Sequence, residues 1–531
     1  MRLDRVLPAG RAAALLAGTP ELDAALTAGG DTRLALDATR LNAYGTQPFS
    51  RPDEISLSSS TASTISARGY AAAAAAFEGL ERARARGRFA TAFAEMAGDV
   101  RVAIGQELEL PGAEIVLSPS GTDSALQALF LACGLLGRSV TSIVVAADES
   151  GNGVPAAASG HHFAAVSSGG QAVDKGEPIA GLDCACVAVA ARDAFGRARP
   201  LAEIDAEVAR AAASAVRAGH AVVLHVMDHS KLGSRGPSLA CVRDVQAMAP
   251  GAVQVVVDAC QVRLSRARLL RYLDQGFLVL VTGSKFFAGP PLSGALLVPQ
   301  SLQRDVARIR EVPAGLPDYT ARDDWPARFA RIRGSLPIRA NVGELLRWIA
   351  AIEEIRAWLA VPELFRKLAL AEFAAAVPRH IAHFPELALL PEPPRAEADA
   401  VDADQDEFAV RTIFPFTVTH DGRALSFEQT RRLHKALNID AAALGLPQAD
   451  PIAAMPCHIG QPVAIADGRG GTSGALRISA DARLVSESWA GAGDLMSTGR
   501  LTERVGRIAI VFAKLRLLMS HLSRLDCIAA A

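Results

Sequence analysis

The sequence predicts an α/β protein, a mostly parallel seven-stranded sheet flanked by helices, followed by a smaller C-terminal α+β domain. Three observations predict it. From about Glu107 to Pro299, short Val/Ile/Leu runs alternate with helical patterns. Those runs are continuous rather than alternating with polar residues, as strands buried on both faces are. After Arg331 the pattern changes to long helices and then to a mixture of strand and helix. A chain of 531 residues with 50% hydrophobic content has the material for a core of that size.

The elements follow in order. Residues 1–85 read as an N-terminal arm and helical segment, with Asn42 to Ser66 loop-like because it holds Tyr44-Gly45, Pro48, Pro52 and a Ser/Thr cluster. One helical section from about Tyr70 to Glu107 carries an alanine tract and then Phe89, Phe93, Met96, Val100 and Ile104 at helical spacing. The large α/β domain, residues 86–335, has expected strands at Glu114–Leu117, Ser142–Ala146, Cys186–Ala190, Ala221–Val226, Val253–Val257, Phe277–Val281 and Gly294–Val298. The C-terminal domain, residues 336–531, opens with helices over Asn341–Leu359 and on to about Val377. An exposed loop is expected at Pro391–Glu407, a strand at Ala409–Val418, and a helix opened by the capping pair Ser426 and Gln429. One last helix is expected over about Leu501 to Leu518.

Composition narrows the function. Lys plus Arg number 55 against 56 Asp plus Glu, so the net charge of −1 gives no field for holding nucleic acid or an acidic membrane. No run of eighteen apolar residues predicts a membrane span, and Ala12 to Ala17 is too short for a secretory core segment. The seven cysteines are odd in number and sit mostly in apolar runs, which predicts a reduced, cytoplasmic setting. Cys184-x-Cys186 lies in such a run without a second ligand pair, so it is read as core and no metal is expected.

Three segments join a strand end to a polar or glycine-rich turn, where open α/β sheets place ligands. The first is Ser118-Pro119-Ser120-Gly121-Thr122-Asp123-Ser124, whose glycine and helix start suit an anion, although Ser, Thr and Asp there also serve as ordinary caps. The second runs from Gln254–Val257 into Asp258-Ala259-Cys260-Gln261-Val262-Arg263; a carboxylate at a buried strand end needs a partner. In the third, Thr282-Gly283-Ser284-Lys285-Phe286-Phe287-Ala288-Gly289-Pro290, a lysine between an apolar strand and an aromatic turn is set up for desolvation.

In this order the three segments resemble the pyridoxal 5′-phosphate (PLP) enzymes of fold type I, the aspartate aminotransferase superfamily, in its class V branch that includes the cysteine desulfurases. Asp258-x-x-Gln261 is similar to the class V cofactor motif, and Thr282-x-Ser284-Lys285 followed by Gly-Pro is similar to its Ser-x-His-Lys segment. The resemblance covers about residues 85–300 well and the C-terminal domain more loosely. It implies that Lys285 carries the cofactor as a Schiff base and moves the substrate α-proton, that Asp258 keeps the pyridine nitrogen protonated, and that Gln261 lies near the O3′ oxygen. Gly121, Thr122, Thr282 and Ser284 would hold the phosphate, Asp123 would serve as a cap, and Arg477, in Ala475-Leu476-Arg477-Ile478-Ser479, would bind the substrate carboxylate. A homodimer acting on a small α-amino acid is implied as well.

Other positions are left open. Arg263 is expected either to read a second acidic group or to pair with an acid. Where relatives carry a stacking histidine this chain has Glu149-Ser150-Gly151-Asn152-Gly153, and where they carry asparagine it reads Asp228-His229-Ser230-Lys231. His229 would replace the asparagine, act as an acid or base, or have no role. Tyr44, in Asn42-Ala43-Tyr44-Gly45, is read as part of a substrate lid or of a dimer arm. Gly151-x-Gly153-x-x-Ala156 imitates a dinucleotide fingerprint but contains Pro155. Aminotransferase-like chemistry is the leading reading. A lyase or a desulfurase using Cys457, with His458 beside it, is the alternative, and a non-catalytic scaffold with this fold is the alternative of another class.

Overall fold

The computed structural model describes residues 19–394, 406–444, 451–491 and 496–527. The start of the arm, including Ala12–Ala17, and most of the expected loop at Pro391–Glu407 lie outside the described residues.

Strand β1 (Ile55–Leu57) precedes the large domain. Then come β2 (Glu114–Ser118), β3 (Val140–Val145), β4 (Ala185–Val189), β5 (Ala221–Met227), β6 (Val253–Asp258), β7 (Leu278–Thr282) and β8 (Gly294–Val298). They form the seven-stranded sheet in the order β2-β8-β7-β6-β5-β3-β4. All neighbours are parallel except β8, which runs against both β2 and β7. Because β2 therefore points the same way as β7, the C-terminal ends of β2, β3, β5, β6 and β7 share one edge. Every residue of β3, β5, β7 and β8 is buried, which is why these strands read as unbroken apolar runs.

The helix Gly121–Leu136 is buried from Thr122 through Ala132, so its apolar residues run all round it. Ser120 caps its start by accepting from Asp123 N at 3.2 Å, and Gly137, at φ 61°, ends it in the left-handed region. The section expected as one helix from Tyr70 to Glu107 is two, Ala67–Ala85 and Phe89–Glu107, broken where Gly87 takes φ 67°. The last expected helix is likewise two, Met496–Gly506 and Ile508–Met519.

The C-terminal part adds β9 (Leu387–Leu389), β10 (Ile413–His420), β11 (Arg423–Ala424), β12 (Cys457–Ala466) and β13 (Thr472–Ser479). Among the described residues the second sheet runs β1-β12-β13-β10-β11, with β9 also on β10. Its first strand comes from the arm: β1 pairs in parallel with β12, Ile55 opposite Cys457. Residues 1–85 are thus partly built into the C-terminal sheet. The turn that follows β1, Ser58 to Thr61, is buried between the two sheets. Among the described residues no helix is long and apolar enough to cross a membrane.

Candidate active site

The shared edge of the large sheet opens on a cleft. Each parallel strand that ends there contributes lining residues. β2 leads to Ser120, Gly121 and Thr122, β3 to Glu149, Ser150 and Gly151, and β5 to His229, Ser230 and Lys231. β6 supplies Asp258, Cys260 and Gln261, and β7 supplies Thr282, Ser284 and Lys285. The arm closes one wall with Arg33, Tyr44 and Thr61. Nine of the expected residues, Lys285, Asp258, Gln261, Gly121, Thr122, Thr282, Ser284, His229 and Tyr44, therefore meet in one place.

Lys285 is half-buried and donates to the Thr61 carbonyl. Burial lowers its pKa to about 8, helped by the positive charges of Arg33 and Arg477 and opposed by Cys260 and Asp258. The neutral amine, the form that attacks a carbonyl, is then a minority species at neutral pH. Below pH 8 its fraction rises about tenfold per pH unit and then levels off, so capture of an aldehyde by the protein should follow that curve. Stopped-flow absorbance measures it, and a rate independent of pH on the acid side of 8 would contradict the assignment.

Asp258 ends β6, half-buried, with Oδ1 accepting from Cys260 N at 3.1 Å. Desolvation raises its pKa; the Cys260 amide and the Lys285 charge pull the other way. The carboxylate faces the cleft with no ion-pair partner among the described residues, a place where a positively charged N–H would be stabilised.

The opposite end of the cleft is made for an anion. The first amides of the Gly121 helix have no partner within the helix and carry its positive pole. Gly121 packs tightly there: a Cβ would stand 2.6 Å from Cys260 Sγ. The Thr282 hydroxyl donates to the Cys260 carbonyl at 2.8 Å, which fixes the strand end beneath it. Asp123 accepts short hydrogen bonds from Ser120 and Ser168, as expected of a structural residue, and burial pushes its pKa up to about 6.

Arg33 was not expected here. Its guanidinium is paired bidentately with Asp31 at 2.6 to 2.9 Å, and Nη2 reaches Ser120 Oγ at 3.2 Å. A positive charge from the arm thereby stands at the helix start. The arm is also pinned by residues that come later in the chain. Arg347 donates to the Leu26, Ala28 and Gly29 carbonyls, while His458 Nε2 meets the Tyr44 carbonyl at 2.9 Å and Asn438 binds the Gly45 carbonyl.

Arg477 and Arg263 do not line the cleft. Arg477 is buried behind Thr61, its Nη2 donating to Thr61 Oγ1 at 2.6 Å and to the Gln461 carbonyl at 2.7 Å. Its Nε and Nη1 have no hydrogen-bond partner among the described residues. Burial lowers its pKa to about 9.

The open reading of Arg263 as a reader of acidic substrate groups is corrected. Its N–H groups are spent on Thr412, the Gln261 carbonyl and side chain, Ser59 and the Ala480 carbonyl, at 2.8 to 3.1 Å. It is a brace that holds Gln261 and the Ser59 turn, and Gln261 in turn donates to the Ser60 carbonyl at 3.0 Å. Arg263→Ala should lower the unfolding free energy by about 3 kcal/mol, because buried acceptors lose their donors. Urea unfolding tests this, and a loss below about 1 kcal/mol would contradict it.

Cys457 does not reach the cleft either. It is buried in β12, and burial pushes its thiol up to about 11. His458 faces Glu54 and Ser58 instead of activating it. Cys260 does line the cleft, but burial holds its thiol well above the usual range.

Glu149 occupies the region where a stacking residue was sought. It is fully buried, paired with Arg192, and receives a short hydrogen bond from Ser230.

No protein-family model matches the chain, and no curated protein matches it in sequence. Among solved structures the chain is similar to mouse CSAD in apo form, at 15% identity over 80% of this chain and 77% of that one, with a TM-score of 0.44. It is also similar to the cystine C-S lyase C-DES in complex with its reaction product cysteine persulfide, at 15% identity over 86% and 98%, TM-score 0.48. A third is the Escherichia coli cysteine desulfurase CsdA in an S-sulfonic acid form, at 14% identity over 86% and 94%, TM-score 0.44.

Proposed function

We propose that the protein is a PLP-dependent enzyme acting on an α-amino acid, with aminotransferase-like chemistry as its reaction. The observation that carries this reading is the meeting, in one cleft, of a desolvated lysine, a carboxylate without an ionic partner and a helix start, brought from three strand ends. These residues fit the cofactor part by part. The amide groups of Gly121 and Thr122, the hydroxyls of Thr122 and Ser284 and the guanidinium of Arg33, paired with Asp31, suit a phosphate. Asp258 suits a protonated ring nitrogen, and Lys285 suits the aldehyde carbon. When bound, PLP supplies an electron sink for charge that develops at the substrate α-carbon.

The chain's own residues supply the rest. Lys285 Nζ takes and returns the α-proton, which its lowered pKa favours near neutrality. Arg477 stands behind Thr61 with Nε and Nη1 unmatched, and in this reading it takes the α-carboxylate once Thr61 and the Gln461 carbonyl release its Nη2. Tyr44 and Thr61 from the arm shield the cleft from water on their side. Thiolate-dependent desulfuration has no support from Cys457 or Cys260, both of which burial keeps protonated. The homodimer implied by the resemblance and the cytoplasmic setting implied by cysteine usage belong to the same proposal.

The test is exchange of the α-proton in deuterated water. The PLP-loaded protein should wash deuterium into the α-position of at least one amino acid in a panel, and the Lys285→Ala protein should not. Absence of exchange for the whole panel would contradict the reading.

A further inference from the structure

The cleft holds a second amine that the reaction above does not use. Lys231 lies on the turn after β5 and lines the cleft with Lys285 and Asp258. Its place is fixed by the backbone: Lys231 N donates to the Glu149 carbonyl at 3.2 Å, and Ser230 Oγ accepts from Leu232 N and Ser234 N at 3.2 and 2.8 Å. The side chain is thus mounted on a tight, hydrogen-bonded turn, next to the carboxylate end of β6, because Met227 and Asp258 are opposite each other in the sheet.

What distinguishes Lys231 among the cations at the cleft is that its amine has neither a counter-charge nor a hydrogen-bond acceptor among the described residues. Arg33 is matched by Asp31, and Arg192 is matched by Glu149. Lys285 donates to the Thr61 carbonyl, and Arg477 donates to Thr61 and to the Gln461 carbonyl. Lys231 Nζ has no hydrogen-bond or ion-pair partner among the described residues. Glu149, whose carbonyl accepts from Lys231 N, has its carboxylate already shared by Arg192 and Ser230. Burial, and after it the positive charges of Arg477, Lys285 and Arg33, lowers the Lys231 pKa to about 7, with Asp258 acting the other way, so a bound anion is what would restore its charged form.

An amino acid with one carboxylate would leave Lys231 facing a filled cleft without an anion, at a cost in desolvation. An anionic group at the far end of the substrate removes that cost. We propose that Lys231 is a specificity-determining residue that binds a second acidic group, so that the substrate is an amino acid with an acidic side chain. This rests on the function proposed above, with Arg477 taking the α-carboxylate and Asp258 engaged by the cofactor ring.

Non-reacting carboxylates separate the possibilities. Calorimetric titration of the PLP-loaded protein with succinate and glutarate, and with butyrate and valerate as matched monocarboxylates, reads binding without turnover. The wild type should bind the better dicarboxylate at least about tenfold more tightly than its monocarboxylate partner. Lys231→Met should lose about tenfold in dicarboxylate affinity and stay within about twofold for the monocarboxylate, while Lys231→Arg should keep part of the preference. An equal loss for both ligand types, or a wild type without preference, would overturn the proposal.

The visible absorption of bound PLP keeps the two levels apart. A wild type that forms no covalent band with PLP defeats the parent reading and this inference with it. A normal band in wild type and in Lys231→Met, combined with no dicarboxylate preference, defeats the Lys231 inference alone.

Discussion

Lys285→Ala should abolish the covalent absorption band of the PLP-loaded protein and lower turnover by about 10⁴-fold or more, because one substitution removes both the attachment point and the base that moves the α-proton. The protein should stay folded. Among the described residues the amine makes one hydrogen bond, to the Thr61 carbonyl, and its removal relieves the cleft of a charge that burial already disfavours. An unchanged urea midpoint with the band gone would locate the loss in chemistry. A variant that kept the band would move the attachment elsewhere, and Lys231 is the other lysine lining the cleft.

Asp258→Asn should give the second largest effect and a different signature. The amide can still accept from Cys260 N, so the end of β6 keeps its shape. It brings no negative charge to a ring nitrogen, and the electron sink weakens. The expected result is a retained covalent band with turnover lower by about 10³-fold. Comparing the band with the turnover in the same preparation checks this. Loss of the band together with turnover would assign Asp258 to cofactor retention, and near-normal turnover would remove it from the chemistry.

Much of this fold can be read from residues because a parallel sheet covered on both faces demands continuous apolar runs. All seven expected strands of the large sheet are present, displaced by no more than two residues at either end. The misses have local causes. Strand β12 contains Gly460 and Pro462 and shifts register between Gly460 and Val463, so its sequence resembles a loop. Strand β1 has three residues beside a Ser/Thr cluster and becomes a strand only by pairing with β12. The break at Gly87 falls inside an otherwise uninterrupted helical pattern, where one glycine among alanines and arginines signals little.

The site shows the same division. Residues on their own strand ends, Asp258, Gln261, Thr282 and Lys285, follow from strand-plus-turn patterns. Lys231 also stands just after a strand end, β5, but nothing in its turn marks it as a binding group; Arg33 and Thr61 enter the cleft through tertiary contacts between segments far apart in the chain, and spacing carries no trace of them. Arg263 shows the reverse. It stands two residues from Gln261 in the sequence, yet its side chain turns into the protein and meets Thr412 and Ala480 of the C-terminal part.

The central claim is that Lys285 is the residue that binds the cofactor covalently. The most direct measurement is to load the wild-type protein with PLP, reduce it with borohydride, digest it and map the modified peptide by mass. The account predicts one pyridoxyl adduct per chain, on Lys285. An adduct on Lys231, or no adduct on a folded protein, would contradict it.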